Sequence, residues 1–564
     1  MDHIFLELAL VLALATGLGA LARALKQPTL LGYIATGLIV GPLGLLQLNH
    51  GEVLDTLAQF GIAFLLFLAG MEMNFSEMRH VGRSALLIGA GQIVFTAGIG
   101  YLIALGLGLA PLAALYIAVT LTFSSTIIVI KLLSEKKALD SLYGKIVVGV
   151  LLVQDFIALG ALILLSGLSG PDIEPARLPL TIGLTFVKGT ALLVLSLLAG
   201  KYLIPKLLHR LAGSQEVLFL ASLTWGLGLA ALCDLPSVGL TIEIGSFMAG
   251  VALSGSVEHF QIMSRVRPLR DVFAVTFFIM LGSKLVLAGT GTQLVPILVL
   301  SAFVVLVKPL LVMLIMGLLG YRARTSFMAG IALAQVSEFS LIVMALALRV
   351  GHANQELVSM VTAVALITIL TSSYLILHAE GLYARLAPLL KKTIEFRAKD
   401  EKHVRDASLK GHVVLIGAHR IGHNILRALE DLHKKFMVVD FNPDVVLQLE
   451  RRGIRALYGD IADPDIQDAA ALDTARAVIS TVPSFHESAH LLHRLKRSNP
   501  KAKVILTAET EFDAVALYER GADYVILPHF AGGLQLGRLL EEDKTLRTLP
   551  KLREQDLAII IERP

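Results

Sequence analysis

The sequence predicts a polytopic all-α membrane domain followed by a cytoplasmic α/β domain built on a doubly wound parallel sheet. Three observations predict it. Residues 1–390 carry only 22 Lys and Arg and 19 Asp and Glu, while the much shorter remainder carries 27 and 26. A mean hydropathy of +0.73 over the whole chain therefore requires the first part to be very apolar, as membrane-embedded segments are. Beyond residue 410 the pattern changes to short apolar runs separated by amphipathic stretches, the mark of alternating strands and helices.

Apolar runs long enough for ~30 Å of hydrocarbon fall near 4–25, 29–48, 55–73, 84–108, 113–133, 145–168, 179–203, 216–233, 237–255, 271–288, 293–319, 325–348 and 356–388, which makes thirteen. The first lacks a basic stretch before it and reads as a retained span rather than a cleaved signal. Loop charges test the count, because Lys and Arg collect on the cytoplasmic side. Alternate loops carry sixteen of them, from Arg23 and Lys26 to Arg322 and Arg324, against Arg177 and Arg349 in the loops between. The asymmetry puts the amino terminus outside and the charged tail in the cytoplasm of a bacterial or archaeal plasma membrane.

Several polar residues interrupt these spans. "GVLLVQDFIALGALILL" (149–165) has one charge, Asp155, beside Gln154. A carboxylate at that depth costs roughly 2.5–3.5 kcal/mol or more on insertion scales, so its presence points to function. The fifth span gathers Thr120, Thr122, Ser124, Ser125 and Thr126; the eleventh has Lys308 before a helix-breaking Pro309; the twelfth has Gln335, Ser337, Glu338 and Ser340. Glu243 in the ninth span reads as structural. Thirteen spans divide into six, a connector and six, which puts the polar fifth and twelfth spans in corresponding places. Corresponding weakened segments in two halves point to a transport site at the membrane midplane. Asp155 and Gln154 with hydroxyl neighbours form a hard-oxygen site suited to potassium or sodium, and Asp155 can take a proton instead. Lys308 is the expected countercharge of Asp155.

The motifs "QPTLLGYIATGLIVGPLGL" (27–45), "IAFLLFLAGMEM" (62–73), "TFSSTIIVIKLL" (122–133), "LLVQDFIAL" (151–159), "VKP" (307–309) and "QVSEF" (335–339) stand in the order of the monovalent cation:proton antiporter-2 family. The resemblance is strongest to the Kef-type potassium efflux proteins. It implies a sodium/proton-antiporter-like fold with inverted repeats and discontinuous helices, in which a core moves against a dimerisation domain of a homodimer. It also implies that Asp155 exchanges ion and proton beside Gln154 and Lys308, with Ser124, Ser125, Thr126, Gln335 and Glu338 around them. The chain departs from the family at Val336 and Ser337, where glycines are usual, so a less open break is expected in the twelfth helix.

Residues 391–410 read as a polar linker, and 411–564 as the α/β domain. Its strands are expected at 412–417, 435–441, 477–482, 503–509 and 524–528. "GAHRIG" (417–422) is a G-x-G-x-x-G fingerprint with His419 in the middle position, and Asp440 follows at the end of the second strand, where an acid holds ribose hydroxyls. With "YGD" (458–460), the tail resembles the TrkA-N, or regulator-of-potassium-conductance, domain that Kef-type proteins carry. The resemblance implies nucleotide binding by Gly417, His419, Gly422, Asp440 and Asp460. His419 would crowd a pyrophosphate, which favours AMP over NAD or NADH.

Other classes fit less well. A net charge of +4 is too small to indicate a nucleic-acid partner, and one cysteine, Cys233, excludes an intrachain disulfide framework. The tail has no nucleophile–base arrangement, so an enzyme is not expected. A ligand-gated potassium channel would need a carbonyl filter such as TVGYG, which is missing from the sequence. A non-transporting membrane nucleotide sensor is the remaining alternative. The predicted activity is electroneutral exchange of potassium, or less favourably sodium, for protons, under nucleotide control and in contact with membrane lipid.

Overall fold

The computed structural model describes residues 4–44, 51–72, 83–136, 138–139, 141–166, 178–204, 214–235, 238, 240–256, 258–285, 290–394, 410–418, 421–440, 443–542, 549–550 and 552–554. The chain forms two compact units: Met1–Ser134 with Tyr143–Lys399, and Glu135–Leu142 with Asp400–Pro564.

In the first unit every one of the thirteen apolar runs holds helix. The helices are α1 (Ile4–Ala24), α2 (Thr29–Val40), α3 (Gly51–Glu72), α4 (Arg83–Gly106), α5 (Pro111–Thr122), α6 (Thr126–Glu135), α7 (Leu142–Ser166), α8 (Leu178–Leu198), α9 (Gln215–Cys233), α10 (Ile242–Ser254), α11 (His259–Ser283), α12 (Thr290–Ala302), α13 (Lys308–Leu318), α14 (Ala323–Ala332), α15 (Glu338–Arg349), α16 (Gln355–Leu377) and α17 (Ala379–Ile394). Eight of the described helical stretches are long and apolar enough to cross a membrane by themselves. The fifth and twelfth spans are each broken in two, α5 from α6 and α14 from α15. Both breaks fall where hydroxyl and amide side chains cluster, because such groups can partner the backbone that a broken helix frees. Val336 and Ser337 do not close the second break.

The eleventh span differs from expectation. Pro309 does not break it; a π-helical turn, Phe303–Val307, precedes α13 and the helical path continues. A wider turn changes the backbone hydrogen-bond ladder at the point where the proline ring lacks an N–H. The last membrane helix ends at Leu377, and α17 carries helix to Ile394, four residues into the expected linker.

The dense packing of these helices runs within two groups. α1, α2, α3 and α8–α11 pack together, and α4, α5 and α12–α16 form the second group. Side-chain bonds from Thr126 and Gln154 join α6 and α7 to the second group. Glycines set the closest approaches in the first. A Cβ at Gly250 on α10 would stand 1.9 Å from the Phe67 carbonyl of α3, and one at Gly37 on α2 would stand 2.0 Å from the Ile279 carbonyl of α11.

The second unit is a six-stranded, all-parallel sheet in the order β3-β2-β1-β4-β5-β6. Its strands are β1 (Val413–Ile416), β2 (Phe436–Asp440), β3 (Ala456–Tyr458), β4 (Ala477–Ser480), β5 (Lys503–Thr507) and β6 (Tyr524–Ile526). Five were expected. The missed one is β3, whose three residues stand between Arg455 and Gly459 and form no apolar run. Helices α18 (Ile421–Asp431), α19 (Pro443–Arg451), α20 (Pro464–Ala469), α21 (Phe485–Ser498), α22 (Glu511–Glu519) and α23 (Pro528–Glu542) connect and follow the strands. The sheet is buried on both faces. Leu426, Leu429 and Leu449 belong to one apolar cluster; Ile466, Leu491, Leu495 and Leu517 belong to the other. This is the doubly wound architecture that the alternating pattern predicts.

Candidate ion site and nucleotide crevice

The two breaks meet. Ser337 N donates to the Phe123 carbonyl at 3.1 Å, and Ser124 Oγ donates to the Leu333 carbonyl at 3.0 Å. Gln335 Nε2 reaches the Ser125 carbonyl at 3.5 Å, while its Oε1 accepts from Ser372 Oγ of α16 at 2.9 Å. Each break thus supplies polar partners for the other. The bonded groups are distant in sequence, about two hundred residues apart.

α7 runs beside this crossing and presents Gln154 and Asp155. The Gln154 carboxamide is 1% exposed and engaged at both ends: Oε1 accepts from Ser124 N at 2.9 Å, and Nε2 donates to Gln92 Oε1 at 2.6 Å. Gln92 in turn donates to the Thr122 carbonyl at the end of α5, at 3.1 Å. Asp155 is partly exposed, and its Oδ2 accepts from Thr126 Oγ1 at 3.1 Å. Glu338 lies beside Ser125, and its Oε2 has no hydrogen-bond partner among the described residues. Ser124, Ser125, Thr126, Gln154, Asp155, Gln335 and Glu338 are therefore gathered in one place.

Lys308 is also there, in a different role from the one expected. Its ammonium donates to the carbonyls of Gln335 at 2.9 Å and Phe123 at 3.2 Å, and it does not ion-pair with Asp155. The physical reason lies in the breaks. α5 and α14 both end here, and helix C-termini carry unpaired carbonyls and partial negative charge. A fully buried ammonium finds its compensation in those carbonyls.

Two neighbours of the candidate site escape sequence reasoning. Gln92 lies in an otherwise apolar span and is invisible until α4 is packed against α5 and α7. Ser372 sits among other hydroxyl residues of α16 and gives no local signal. Thr120 and Thr122 turn out to bond back to their own helix, at the Ile117 and Val119 carbonyls.

In the second unit a crevice opens at the carboxyl ends of β1, β2, β3 and β4, at the switch point of the strand order. Gly417, Asp440, Gly459, Asp460 and Glu487 line it. Gly417 has φ +81°, a left-handed conformation, and Gly422 begins α18 so close beneath it that a Cβ would stand 1.9 Å from the Gly417 carbonyl. Asp440 Oδ2 accepts from Ala418 N at 2.8 Å, which braces the first turn. Asp460 caps its own turn through Ala462 N at 2.8 Å. Glu487 was not expected; it enters through the first turn of α21, whose N-cap is Ser484. His419 lies outside the described residues.

Residues 10–377 match the family described as sodium/hydrogen exchanger, transmembrane. The chain belongs to the sodium/hydrogen exchanger family. Residues 413–528 match the TrkA-N domain, so this exchanger carries that module on its α/β tail. It is 28% identical over 527 residues to YbaL of Escherichia coli (strain K12), a protein named as a candidate cation/proton antiporter, covering 92% of this chain and 93% of that one. It is also 28% identical over 547 residues to the glutathione-regulated potassium-efflux system protein KefC of Klebsiella pneumoniae (strain 342), covering 96% and 85%. The sodium proton antiporter MjNhaP1 from Methanocaldococcus jannaschii shares the fold, with a TM-score of 0.51 at 16% identity over 69% of this chain and 98% of that one. The exchanger is thus a multi-pass transporter and not an enzyme.

Proposed function

We propose that this exchanger swaps a monovalent cation, potassium in preference to sodium, for a proton at Asp155. The observation that carries the reading is the position of Asp155: a carboxylate bonded to the Thr126 hydroxyl beside the crossing of two broken helices, whose polar side chains and freed carbonyls supply further oxygens. Such oxygens suit alkali ions, and the same carboxylate accepts a proton. Gln154, held at both ends, braces the site, and Lys308 compensates the helix ends. Protonated and ion-loaded Asp155 are each close to neutral, so both forms cross and the bare anion crosses reluctantly; one-for-one electroneutral exchange follows. The preference for potassium draws on the potassium-efflux relatives.

The tail is read as a regulatory nucleotide site at the crevice of Gly417, Gly422 and Asp440, in a homodimer with the amino terminus outside. AMP is favoured over NAD because His419 replaces the glycine that lets pyrophosphate approach the backbone.

Proteoliposomes with an imposed pH gradient test the transport reading. Addition of potassium, and less effectively sodium, should dissipate the gradient, and Asp155→Asn should abolish the effect while leaving the protein folded. Potassium movement without obligatory protons would instead identify a channel, and no flux at all a sensor. Titration of the whole protein and its His419→Gly variant with AMP and NAD tests the tail: the glycine variant should gain NAD binding relative to AMP.

A further inference from the structure

On the side of the unit where α15 ends, a salt bridge crosses between the two helix groups. Arg349, the last residue of α15, places Nη1 3.1 Å from Glu243 Oε1 in the first turn of α10. The two partners differ in exposure. The Glu243 side chain is 2% exposed and that of Arg349 is 38% exposed. Glu243 Oε2 has no hydrogen-bond partner among the described residues, nor do Thr241 Oγ1 and Ser246 Oγ beside it on the same helix start. The buried carboxylate therefore leans on Arg349, and separating the pair leaves an uncompensated buried charge.

The pair belongs to two groups that pack densely within themselves. α10 lies with α3, α8 and α9; α15 lies with α5 and α16. A second contact crosses the same seam. Gln355, at the start of α16, donates from Nε2 to the Lys284 carbonyl at the end of α11, at 2.7 Å. Lys284 is itself tied within its own group to Asp55 of α3, at 2.8 Å. Arg349 stands at the far end of the helix that begins with Glu338 in the ion site. Eleven residues separate them, about 16 Å along the axis at 1.5 Å per residue. A straight helix of that length carries any displacement of the crossing directly to Arg349.

We propose that Glu243 and Arg349 form a latch that holds the two helix groups together on this side, and that it opens and recloses in each transport cycle. The proposal rests on the exchanger reading above. Closed, it bars the route between Asp155 and the side where α15 ends. Open, Arg349 leaves with α15 and the Glu243 carboxylate meets water entering the seam. The buried member belongs to the group that holds it in place, and the half-exposed member to the group that moves.

The test uses a protein whose only cysteine, the buried Cys233, is replaced by alanine. Glu243→Cys and Arg349→Cys are introduced together and joined by a short reducible bis-thiosulfonate linker. Cation-driven proton flux in proteoliposomes should fall at least tenfold on linking and return on reduction. Equal flux in the linked and reduced states overturns the latch and leaves the exchanger reading standing. No flux in either state and none in the unmodified protein overturns the exchanger reading itself, and the latch with it. Charge reversal gives a second measurement. Arg349→Glu should slow turnover at least tenfold with the cation KM unchanged within twofold, and Glu243→Arg combined with Arg349→Glu should restore most of it. A pair that serves only as a fixed brace would lower thermal stability without splitting turnover from KM, and that result overturns the latch.

Discussion

The Lys308 ammonium donates to the carbonyl of Gln335 at 2.9 Å, in the break between α14 and α15. With its second bond to Phe123, it closes the ends of both interrupted helices at once. The ammonium thus bonds to both helix ends and makes no ion pair with Asp155.

That geometry makes Lys308→Met a test of architecture. The variant keeps the apolar stem and strands the buried Gln335 carbonyl, at about 1–3 kcal/mol, while the Phe123 carbonyl retains its bond from Ser337 N. Thermal unfolding in detergent should shift down by several degrees, and transport should fall with it. Adding Asp155→Asn should give no rescue, because the two charges do not meet. A double variant clearly more stable than Lys308→Met would restore the ion-pair reading.

Gln92 should matter as much as the residues of the Gln-Asp pair. It accepts from Gln154 and ties α7 to the end of α5. Gln92→Leu leaves the Gln154 carboxamide with an unpartnered N–H and should cost about 1–3 kcal/mol. Cation-coupled proton flux should drop at least tenfold, with Asp155 intact. Near-native flux in this variant would remove Gln92 from the site.

Gly422→Ala puts a methyl group where the Gly417 carbonyl already stands. The first turn of the crevice has to open or α18 has to retreat. Nucleotide-induced thermal stabilisation of the whole protein should be lost, while basal exchange through the membrane unit should persist. Unchanged stabilisation by AMP would place the nucleotide elsewhere.

The tail also has a predictable acid sensitivity. Asp523 accepts from Lys503 Nζ at 2.7 Å and Val504 N at 2.9 Å, and the Lys503 bond chiefly holds its carboxyl below the usual carboxylate range. A group depressed on folding stabilises above its unfolded pKa, about 3.9, and the stabilisation is lost as pH falls through its folded value. Asp523→Asn should therefore lower the unfolding temperature of the tail at pH 7 and make little difference near pH 2. A gap that persists at pH 2 would assign the loss to packing instead. The effect is expected to be small, because the pair is partly screened by solvent.

Local pattern along the chain decides the type of each element. Hydrophobic run length is a local property, so thirteen spans and the doubly wound tail were legible, and so were the breaks at Ser124 and Gln335, where polar residues interrupt apolar runs. β3 was not, because Ala456–Tyr458 is flanked by Arg455 and Gly459 and forms no apolar run, unlike the equally short β6 in its apolar stretch. Only the tertiary structure decided partners. Whether Lys308 meets a carboxylate or two helix ends depends on where α5 and α14 terminate relative to α13, which no single run encodes. Gln92 became part of the site only when α4 packed beside α7. Glu243 and Arg349, more than one hundred residues apart, met only because α10 and α15 belong to groups that abut on one side. Burial and periodicity are written along the chain, whereas the compensation of a buried polar group is settled by whichever distant segment folding brings within hydrogen-bond reach.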